Sequence, residues 1–425
     1  MKHRIVITGM GVVAPNAHGL IDFEQALREG RSGVRFFPRL EELKFGCQIG
    51  GAPEGVDEIL TSYFDEETLR SMNQNIGYVS IAAVDAWRDA GFEVPGDGDP
   101  VDWETGAILG CGIGGMDTIA ETVVPMVSAG KTRRMGSTIV ERVMNSGTSA
   151  RVGGLLALGN QVTSNSSACS TGAEAIANAV WRIRTGLAKR MLAGGSEGPS
   201  PYIWAGFDSM RVIARKFNDQ PEKGSRPMSA SANGFVPGAG GAVLLLEDLE
   251  TARARGARIY AEILGGVVNC GGQRGGGSMT APNPEGVQGC IRGAIADAGI
   301  SPAEIDAING HLTATFADPS EVENWSKALG RGPADFPYIN STKSMVGHCL
   351  GAAGAIESVA VSLQLQKGFL HPSVNCEDVH PGIEAFADKI PQTVMEYPKL
   401  KVIAKASFGF GDVNSCLIFK KWEGA

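Results

Sequence analysis

The sequence predicts an α/β fold built from two related halves. Short β-branched or apolar runs alternate with helical patterns along all 425 residues, which is typical of strands and helices arranged in layers. A faint internal repeat relates the two parts of the chain, and no low-complexity linker divides them. We therefore expect a five-layered αβαβα body whose halves, residues 1–255 and 256–425, are related by a pseudo-two-fold axis.

The elements follow from these local patterns. The predicted strands are, in chain order, RIVITGMGVV, TGAILGC, RMLAGGS, AVLLLED, RIYAEILGGVV, DAINGH, PYINST and SCLIFKK. The predicted helices carry small and apolar residues at helical spacing; they are GYVSIAAVDAWRDAGF, GAEAIANAVWRIRTG, GVQGCIRGAIADAGI and GAIESVAVSLQLQKG.

The internal repeat is visible when the stretch around Cys169 is shifted by 180 residues. Cys169 then falls on Cys349, and the following matches are Ala173 with Ala353, Ala175 with Ala355 and Ile176 with Ile356. The segments CSTGAEAIANAV and CLGAAGAIESVA are therefore predicted to be two copies of one helix. Because small residues allow helices to approach closely, we expect both copies in the buried middle layer.

Composition excludes several classes of function. A net charge of −8 opposes general nucleic-acid binding. No apolar run reaches the ~18 residues of a membrane helix, and the N-terminus has the pattern of a core strand rather than a signal peptide. Eight cysteines without CxxC pairs argue against a zinc site or a disulfide framework. These features predict a cytoplasmic protein without a metal.

Two glycine-rich segments resemble a dinucleotide-binding fingerprint. They are GMGVVA at residues 9–14 and GCGIGG at residues 110–115. The fingerprint also needs an uninterrupted helix and an acidic residue about 20 positions further on. Pro15 follows the first segment at once, and REGRSGVRFF supplies no acidic residue at the end of a second strand. We interpret both as structural glycine turns.

The stretch SNSSACSTGAEAI, residues 164–176, holds Cys169 where a strand-like segment ends and a helix is predicted to begin. The positive end of the helix dipole favours a thiolate there by ~0.3–2 kcal/mol. Main-chain N–H groups at such a turn also suit an oxyanion. The alternative is a tightly packed small-residue helix in which the cysteine acts as a small hydrophobe.

Two of the six histidines have positions suited to such a nucleophile. His311, in INGHLTAT, follows a predicted strand and precedes two threonines. His348, in STKSMVGHCLGAAGA, lies directly before the second copy of the small-residue helix. If a two-fold axis relates the halves, His348 approaches Cys169 across it. The sequence therefore predicts a cysteine nucleophile with imidazole partners.

Four motifs carry a family resemblance: ACSTG, HLTAT, KSMVGH followed by GAAGAIES, and SFGFGDVNSCLIF. In this order they resemble the signatures of elongating β-ketoacyl–acyl-carrier-protein synthases, the Cys–His–His condensing enzymes of the thiolase superfamily. The similarity covers essentially the whole chain. It implies a thiolase-like fold and a decarboxylative Claisen condensation of an enzyme-bound acyl chain with malonyl–acyl-carrier protein. The products would be a 3-oxoacyl-carrier protein and CO2, with no cofactor except the phosphopantetheine that carries the substrates.

The resemblance also implies roles for individual residues. Cys169 would take the acyl chain, while His311 and His348 would serve malonyl decarboxylation and hold the enolate oxygen. Lys343 would pair with Glu321 and fix the histidine loop.

The same resemblance implies how the substrate is held. The main-chain N–H groups of Cys169 and Phe410 would form the oxyanion hole, and Phe410 would gate the acyl pocket. Thr313, Thr315 and Thr280 match positions that bind phosphopantetheine.

The chain departs from the family pattern around the substrate. Leu312 replaces the glycine of HGTGT, and the segment from residue 311 to 321 is one residue shorter than usual. Asp412 replaces the last glycine of GFGG, and SASAN replaces charged residues before GFV. These departures favour a specialised polyketide, pigment or polyene pathway over fatty-acid elongation.

The implied partner is an acidic acyl-carrier protein. Because this chain is itself acidic, docking requires a local basic patch, for which KTRRM with Lys131, Arg133 and Arg134 is the candidate. The alternative is an ordinary solvated turn.

The resemblance implies a homodimer, with AILGCGIGG and TSNSSACS near its interface. A heterodimer with a cysteine-less homologue is the alternative assembly. A non-catalytic partner subunit that sets chain length is the alternative function, although such partners typically lack the cysteine.

Overall fold

The computed structural model describes residues 3–424. Its strands are β1 (Ile5–Ala14), β2 (Ala17–His18), β3 (Val34–Phe36), β4 (Ile49–Gly51), β5 (Thr105–Gly110), β6 (Val162–Thr163), β7 (Arg190–Glu197), β8 (Gly240–Asp248), β9 (Ala261–Cys270), β10 (Ala307–Asn309), β11 (Tyr338–Asn340), β12 (Phe369–Leu370), β13 (Met395–Glu396), β14 (Val402–Gly409) and β15 (Val413–Lys421).

The α-helices are α1 (Leu20–Glu29), α2 (Pro38–Glu42), α3 (Val56–Tyr63), α4 (Glu66–Leu69), α5 (Gln74–Asp89), α6 (Met116–Thr118), α7 (Val124–Ser128), α8 (Ile139–Val143), α9 (Gly147–Leu155), α10 (Thr171–Arg184), α11 (Pro201–Met210), α12 (Leu249–Ala254), α13 (Pro284–Ala298), α14 (Asp318–Leu329), α15 (Lys343–Val346) and α16 (Ala353–Lys367). Each predicted strand overlaps one of these strands, and each predicted helix overlaps one of these helices.

The order of strands in the sheet reveals the duplication. It runs β11-β10-β14-β15-β9-β1-β8-β7-β5-β6. Outward from β9 the strands come in the order β15, β14, β10, β11, and outward from β1 in the equivalent order β8, β7, β5, β6. β1 and β9 pair antiparallel at the centre, with Ile5 opposite Ile263. The two halves therefore meet about a pseudo-two-fold axis between these strands.

Helices fill three layers around the two halves of the sheet. α10 and α16 pack on each other and contact strands of both halves, including β7, β8, β9 and β15. α5 and α9 cover the outer face of the first half, while α13 covers that of the second with α14 packed beside it. This is the five-layered αβαβα arrangement that the sequence predicted.

The two central helices touch at their first turns through small residues. A Cβ atom on Gly172 would lie 2.7 Å from the nitrogen of Ala355, and one on Gly354 would lie 2.5 Å from the nitrogen of Ala173. The two contacts are equivalent, with Gly354 taking the place of Gly172 and Ala355 that of Ala173, an offset of 182 residues in both cases.

The register of 180 residues taken from the sequence is therefore wrong by two. Each helix follows a 3₁₀ turn, Ala168–Ser170 or Leu350–Ala352, and both turns open on a residue with φ of 47°. Cys169 is consequently the structural counterpart of Gly351 and not of Cys349. The repeated feature is a left-handed residue followed by a tight turn, which alanine identities in the sequence do not reveal.

Within residues 3–424, the length and apolar character required to cross a bilayer do not occur together in any helix. All eight cysteines are free thiols.

Candidate active site

Cys169 lies in the 3₁₀ turn Ala168–Ser170, two residues before α10 begins at Thr171. The predicted start of the α-helix at Cys169 is therefore wrong. The Ser170 hydroxyl donates to the carbonyl groups of Ser407 and Val413, at 3.0 Å each. These bonds fix the turn to β14 and β15 of the other half, so the cysteine is positioned by both halves.

Cys169, His311 and His348 converge on one point. The Sγ of Cys169 lies 3.0 Å from the Nε2 of His348, and the centroids of the two imidazoles lie 5.3 Å apart with an interplanar angle of 84°. One ligand-type atom of each residue lies within 4.8 Å of the others. The structure thus brings together the three residues that the sequence singled out.

His348 is held by its main chain. Its N–H donates to the carbonyl of Val236 at 2.7 Å, and its own carbonyl accepts the N–H of Gly238 at 2.8 Å. The ring of Phe235 packs edge-on against the imidazole, with centroids 5.2 Å apart. The imidazole therefore stands at a defined position in front of α16.

The loop that carries His311 is bound by two carboxylates of the first turn of α14. Glu321 accepts the N–H groups of His311 at 2.6 Å and Leu312 at 2.8 Å. Asp318 accepts those of Thr313 at 2.9 Å and Ala314 at 3.0 Å. Because four successive main-chain N–H groups of this loop donate to carboxylates of a single helix turn, the loop must curl tightly around that turn.

The curl forces two residues of that loop into left-handed backbone conformations. φ is 24° at Leu312 and 65° at Ala314. Glycine adopts such angles without strain, which explains why the resembling family prefers glycine at the position of Leu312. Here the Leu312 side chain is fully buried in the apolar cluster around α13 and α14. Burial of the side chain offsets the backbone strain.

The predicted pairing of Lys343 with Glu321 is wrong. The Lys343 ammonium contacts Glu357 of α16, and Glu357 also forms an ion pair of 2.6 Å with Lys405 of β14. The two oxygens of Glu321 instead accept main-chain N–H groups of the loop. Glu321 still fixes the histidine loop, but it does so without the lysine.

Glu357 and Lys405 are not among the site residues predicted from the sequence. Each is a lone charged residue in an otherwise apolar or small-residue run, GAIESVAV and VIAKASFG. Such a charge is almost never fully buried unless it is paired. That pattern was the available signal for a buried ion pair, although it does not identify the partners.

Burial and two positive charges determine the protonation of the histidines. Burial, followed by the charges of Lys343 and Lys405, holds the pKa of both His311 and His348 well below the usual value. Both imidazoles are therefore neutral at physiological pH. The same positive field repels a divalent cation, which argues against a metal on this Cys–His–His set.

The cysteine is a thiol in the resting site. Burial raises the pKa of Cys169 to about 11, against the lowering effects of the Lys343 charge and the Phe410 N–H. The thiolate predicted from the helix dipole is therefore not the resting form. Burial outweighs the lowering effects on the pKa, and the α-helix itself starts two residues after the cysteine. The resting Cys169–His348 contact consequently joins a neutral thiol and a neutral imidazole.

The end of β14 lies against the cysteine turn. A Cβ atom on Gly409 would lie 3.0 Å from the carbonyl oxygen of Ser167 and 3.1 Å from the nitrogen of Cys169. Phe410 follows directly, and its main-chain N–H is close enough to the thiol to lower the pKa of Cys169. The N–H groups of Cys169 and Phe410 are thus adjacent, as an oxyanion hole requires.

A cavity of about 600 Å³ opens onto these groups. It is lined by the three converging residues, by Phe410 and by all three predicted pantetheine threonines, Thr280, Thr313 and Thr315. Arg211 is the one basic residue, apart from histidine, among those that line it. Phe316, 84% exposed, lies at its edge. The cavity has the size of a ligand site and leads from the surface to the thiol.

Asp412, a departure from the family pattern, joins the turn after Phe410 to this cavity. It has φ of 62° and is buried, and its carboxylate accepts the N–H groups of Gln273 at 2.9 Å and Asn283 at 2.8 Å. The neighbouring Gly411 N–H donates to the carbonyl of Met279. The turn after Phe410 is therefore tied to the segment that contains Thr280.

The basic residues of KTRRM lie away from the cavity lining. Lys131, Arg133 and Arg134 are exposed around a short 3₁₀ turn, Thr132–Arg134, between α7 and α8. Within residues 3–424 none of the three forms an ion pair. The patch thus offers three unpaired positive charges to solvent.

Comparison with known proteins agrees with this geometry. Residues 2–252 match the family "Beta-ketoacyl synthase, N-terminal domain", and residues 260–377 match "Beta-ketoacyl synthase, C-terminal domain". The 3-oxoacyl-[acyl-carrier-protein] synthase 2 of Coxiella burnetii is 35% identical over 427 residues, which is 99% of each chain.

Solved ketosynthases have the same architecture. The ishigamide ketosynthase/chain length factor superposes with a TM-score of 0.86 at 28% identity, covering 99% of this chain and 100% of that one. AntDE:AntF, a type II polyketide acyl-carrier protein in complex with its ketosynthase, gives a TM-score of 0.87 at 28% identity, with the same coverage of the two chains.

Fold and site together define a condensing acyltransferase with a thiolase-like fold. The chain belongs to the β-ketoacyl synthase family. Enzymes of this family receive their substrates as thioesters on the phosphopantetheine of an acyl-carrier protein and use no further cofactor.

Proposed function

We propose that the chain catalyses decarboxylative condensation of a Cys169-bound acyl group with a malonyl-carrier protein. The observation that carries this proposal is the 3.0 Å contact between the Cys169 Sγ and the His348 Nε2. The His311 ring lies beside this contact, nearly perpendicular to the His348 ring. The first half, residues 1–255, contributes the cysteine, and the second half, residues 256–425, contributes both histidines.

In the first step Cys169 attacks the thioester carbon of the acyl-carrier protein. His348 is within reach to take the thiol proton as the sulfur attacks, which a thiol with a raised pKa requires. The new oxyanion lies against the N–H groups of Cys169 and Phe410. The acyl group passes to the cysteine, and the carrier thiolate leaves with the proton.

In the second step a malonyl thioester occupies the same cavity. The carbon–carbon bond to its carboxylate breaks, CO2 leaves, and the electron pair moves onto the thioester as an enolate. Neutral His311 and His348 each donate a ring N–H to the enolate oxygen; His348 does so as the Nε2–H tautomer, after exchanging the Nδ1–H tautomer that accepts the thiol proton in the first step. The enolate carbon then attacks the acyl carbon, and the Cys169 thiolate leaves and takes a proton from solvent.

The cavity lining supports a path for the pantetheine arm past Thr313, Thr315 and Thr280, with Phe410 as the gate to the acyl pocket. The carrier protein would dock on Lys131, Arg133 and Arg134, whose charges are free for an acidic partner.

We place the reaction in a specialised polyketide or polyene pathway rather than in fatty-acid elongation. The support is the set of departures around the substrate, of which Leu312 and Asp412 are built into the histidine loop and the gate turn. The free thiols are consistent with the reducing cytoplasm that we propose as its compartment.

We further propose a homodimer. Its support is a group of exposed apolar side chains on α7, α8 and the residue after α8, namely Val124, Val127, Val140 and Met144. A heterodimer with a cysteine-less homologue is the second candidate. A monomer at micromolar concentration in sedimentation analysis would contradict both.

The alternative function, a non-catalytic subunit that sets chain length, is disfavoured by the presence of Cys169 beside His348. Incubation with an acyl-carrier thioester, followed by peptide mass spectrometry, separates the two. We expect the acyl group on Cys169. The matched control is Cys270→Ser, which removes an exposed thiol beside the gate and should leave acylation unchanged. No acylation, or acylation of the buried Cys349, would overturn the proposal.

A further inference from the structure

Lys405 is a fully buried lysine in the middle of β14. Its Nζ lies 2.6 Å from a Glu357 oxygen, 2.5 Å from the Ala406 carbonyl and 2.8 Å from the Ser407 hydroxyl. Burial lowers the pKa of Lys405, whereas the Glu357 carboxylate raises it. The carboxylate oxygen at 2.6 Å stabilises the ammonium form.

The ion pairs around Lys405 are unbalanced. Lys343 contacts the other oxygen of the same carboxylate, so two ammonium groups share Glu357. All three side chains are buried. A buried charge is normally retained only when it is paired. Taken by themselves, Lys343, Glu357 and Lys405 carry one net positive charge; Glu321, which binds the main chain of the histidine loop, is the next carboxyl group whose charge acts on Lys405.

The Lys405 charge is close enough to both imidazoles to lower their pKa. Lys405 is the sheet partner of Asn309, two residues before His311, and Phe408 of the same strand packs on the His311 ring with centroids 6.1 Å apart. Ser407 accepts a hydrogen bond from Ser170, next to Cys169. One strand thus connects the charge to both sides of the site.

We propose that Lys405 supplies a positive charge that stabilises the single negative charge carried through the condensation. This inference rests on the proposed function. The malonyl carboxylate brings one negative charge, which moves to the enolate oxygen when CO2 leaves. It then moves to the Cys169 sulfur when the new carbon–carbon bond forms. Lys405 does not touch the substrate, so it acts through its field and is not a catalytic residue.

The decisive variant is Lys405→Met, which removes the charge and keeps an unbranched side chain. It leaves Glu357 paired one to one with Lys343, so no unpaired buried charge is created. The matched control is Ser407→Ala, which keeps the ammonium and removes one of its acceptors. A role limited to packing or hydrogen bonding would affect the two variants alike.

We measure two half-reactions with carrier-bound substrates: CO2 release from malonyl thioester and acyl transfer to Cys169 from an uncharged acyl thioester. Lys405→Met should slow CO2 release about tenfold, less than the ~10²–10³ lost with a donor that touches an oxyanion. Acyl transfer should change less than CO2 release. Ser407→Ala should stay close to the wild type in both half-reactions.

The second readout is the titration of His311 and His348 by NMR. The two imidazoles face one another, and the charge of Lys343 acts on both. The Cys169 thiol contacts His348, and Glu321 accepts the main-chain N–H of His311. Removal of one positive charge favours the imidazolium form, so the pKa of both rings should rise in Lys405→Met. The pH at which CO2 release falls to half on the acid side should shift upward together with these pKa values.

The inference is overturned if Lys405→Met releases CO2 at the wild-type rate, or if both half-reactions fall equally without a change in the histidine titrations. Wild-type enzyme that releases no CO2 would overturn the proposed function instead, while the titrations would still test the charge. If the variant does not fold, ¹⁵N NMR of the wild-type Lys405 Nζ decides, because a neutral amine at pH 7 would contradict the inference.

Discussion

Gly354 of α16 lies directly against Ala173 of α10: a Cβ atom on the glycine would stand 2.5 Å from the Ala173 nitrogen and 2.9 Å from its Cβ. Cys169 lies just before one of these helices and His348 just before the other. The closeness of the helices therefore sets the 3.0 Å contact between sulfur and imidazole.

Substitution of Gly354 by alanine should push the two helices apart. We expect a loss of about 1–3 kcal/mol in the free energy of unfolding, as for other overpacked cores, and slower acylation of Cys169. Guanidinium denaturation and acylation kinetics measure both effects. Gly206→Ala in α11 is the control, since nothing lies within 4 Å of its added Cβ. Equal free energies of unfolding for the two variants would show that the close contact between Gly354 and Ala173 does not restrict the side chain at position 354.

The protonation states predict the pH dependence of the thiol. Because the pKa of Cys169 is raised to about 11, its alkylation by iodoacetamide should accelerate with every increase of pH from 7 to 10 without a plateau. The Cys270→Ser background removes the exposed competing thiol. A plateau below pH 8 would instead indicate a preformed thiolate–imidazolium pair.

Neutral imidazoles predict a second pH effect. Since the pKa of His311 and His348 lies well below the usual value, the two rings stay neutral until the pH falls far below 6.5. CO2 release from the malonyl substrate should thus persist at pH 6, provided that the protein remains folded by circular dichroism. Loss of the activity with a midpoint near pH 6.5 would contradict this assignment.

Leu312→Gly should relieve backbone strain and remove a buried side chain. Loss of a buried leucine side chain costs about 2–5 kcal/mol, and relief of a left-handed conformation returns ~1–2 kcal/mol. We expect a net destabilisation in thermal unfolding. Ala314→Gly, at φ 65°, loses only a methyl group and should be close to neutral. A stabilised Leu312→Gly would mean that the strain outweighs the burial.

Reversal of Arg133 and Arg134 to glutamate should raise KM for carrier-bound substrate, most strongly at low salt. The reason is that steering charges are screened over a Debye length of ~8 Å at physiological ionic strength. Turnover of a small thioester without the carrier should not change. Lys327→Glu with Lys401→Glu is the control of equal charge change, since these exposed lysines already pair with Glu323 and Glu423. Equal losses with both substrates would mean that the loop supports the fold.

The sequence predicted the fold well because its signals are local. A buried strand such as RIVITGMGVV and a small-faced helix such as the one after Cys169 show their periodicity within a dozen residues. The internal repeat was also visible, but its register was not. The equivalence of Ala168 and Leu350 depends on a shared left-handed φ of 47°, and no side-chain identity records it.

By itself the sequence determined the layered α/β fold, the duplication and the three residues Cys169, His311 and His348. These follow from residue types at fixed spacings in one chain. Only the tertiary structure decided that Lys343 pairs with Glu357, that Lys405 contacts the same carboxylate and that burial raises the pKa of Cys169. Ion pairing and desolvation depend on distances between segments far apart in the chain, and those distances exist only after the two halves pack.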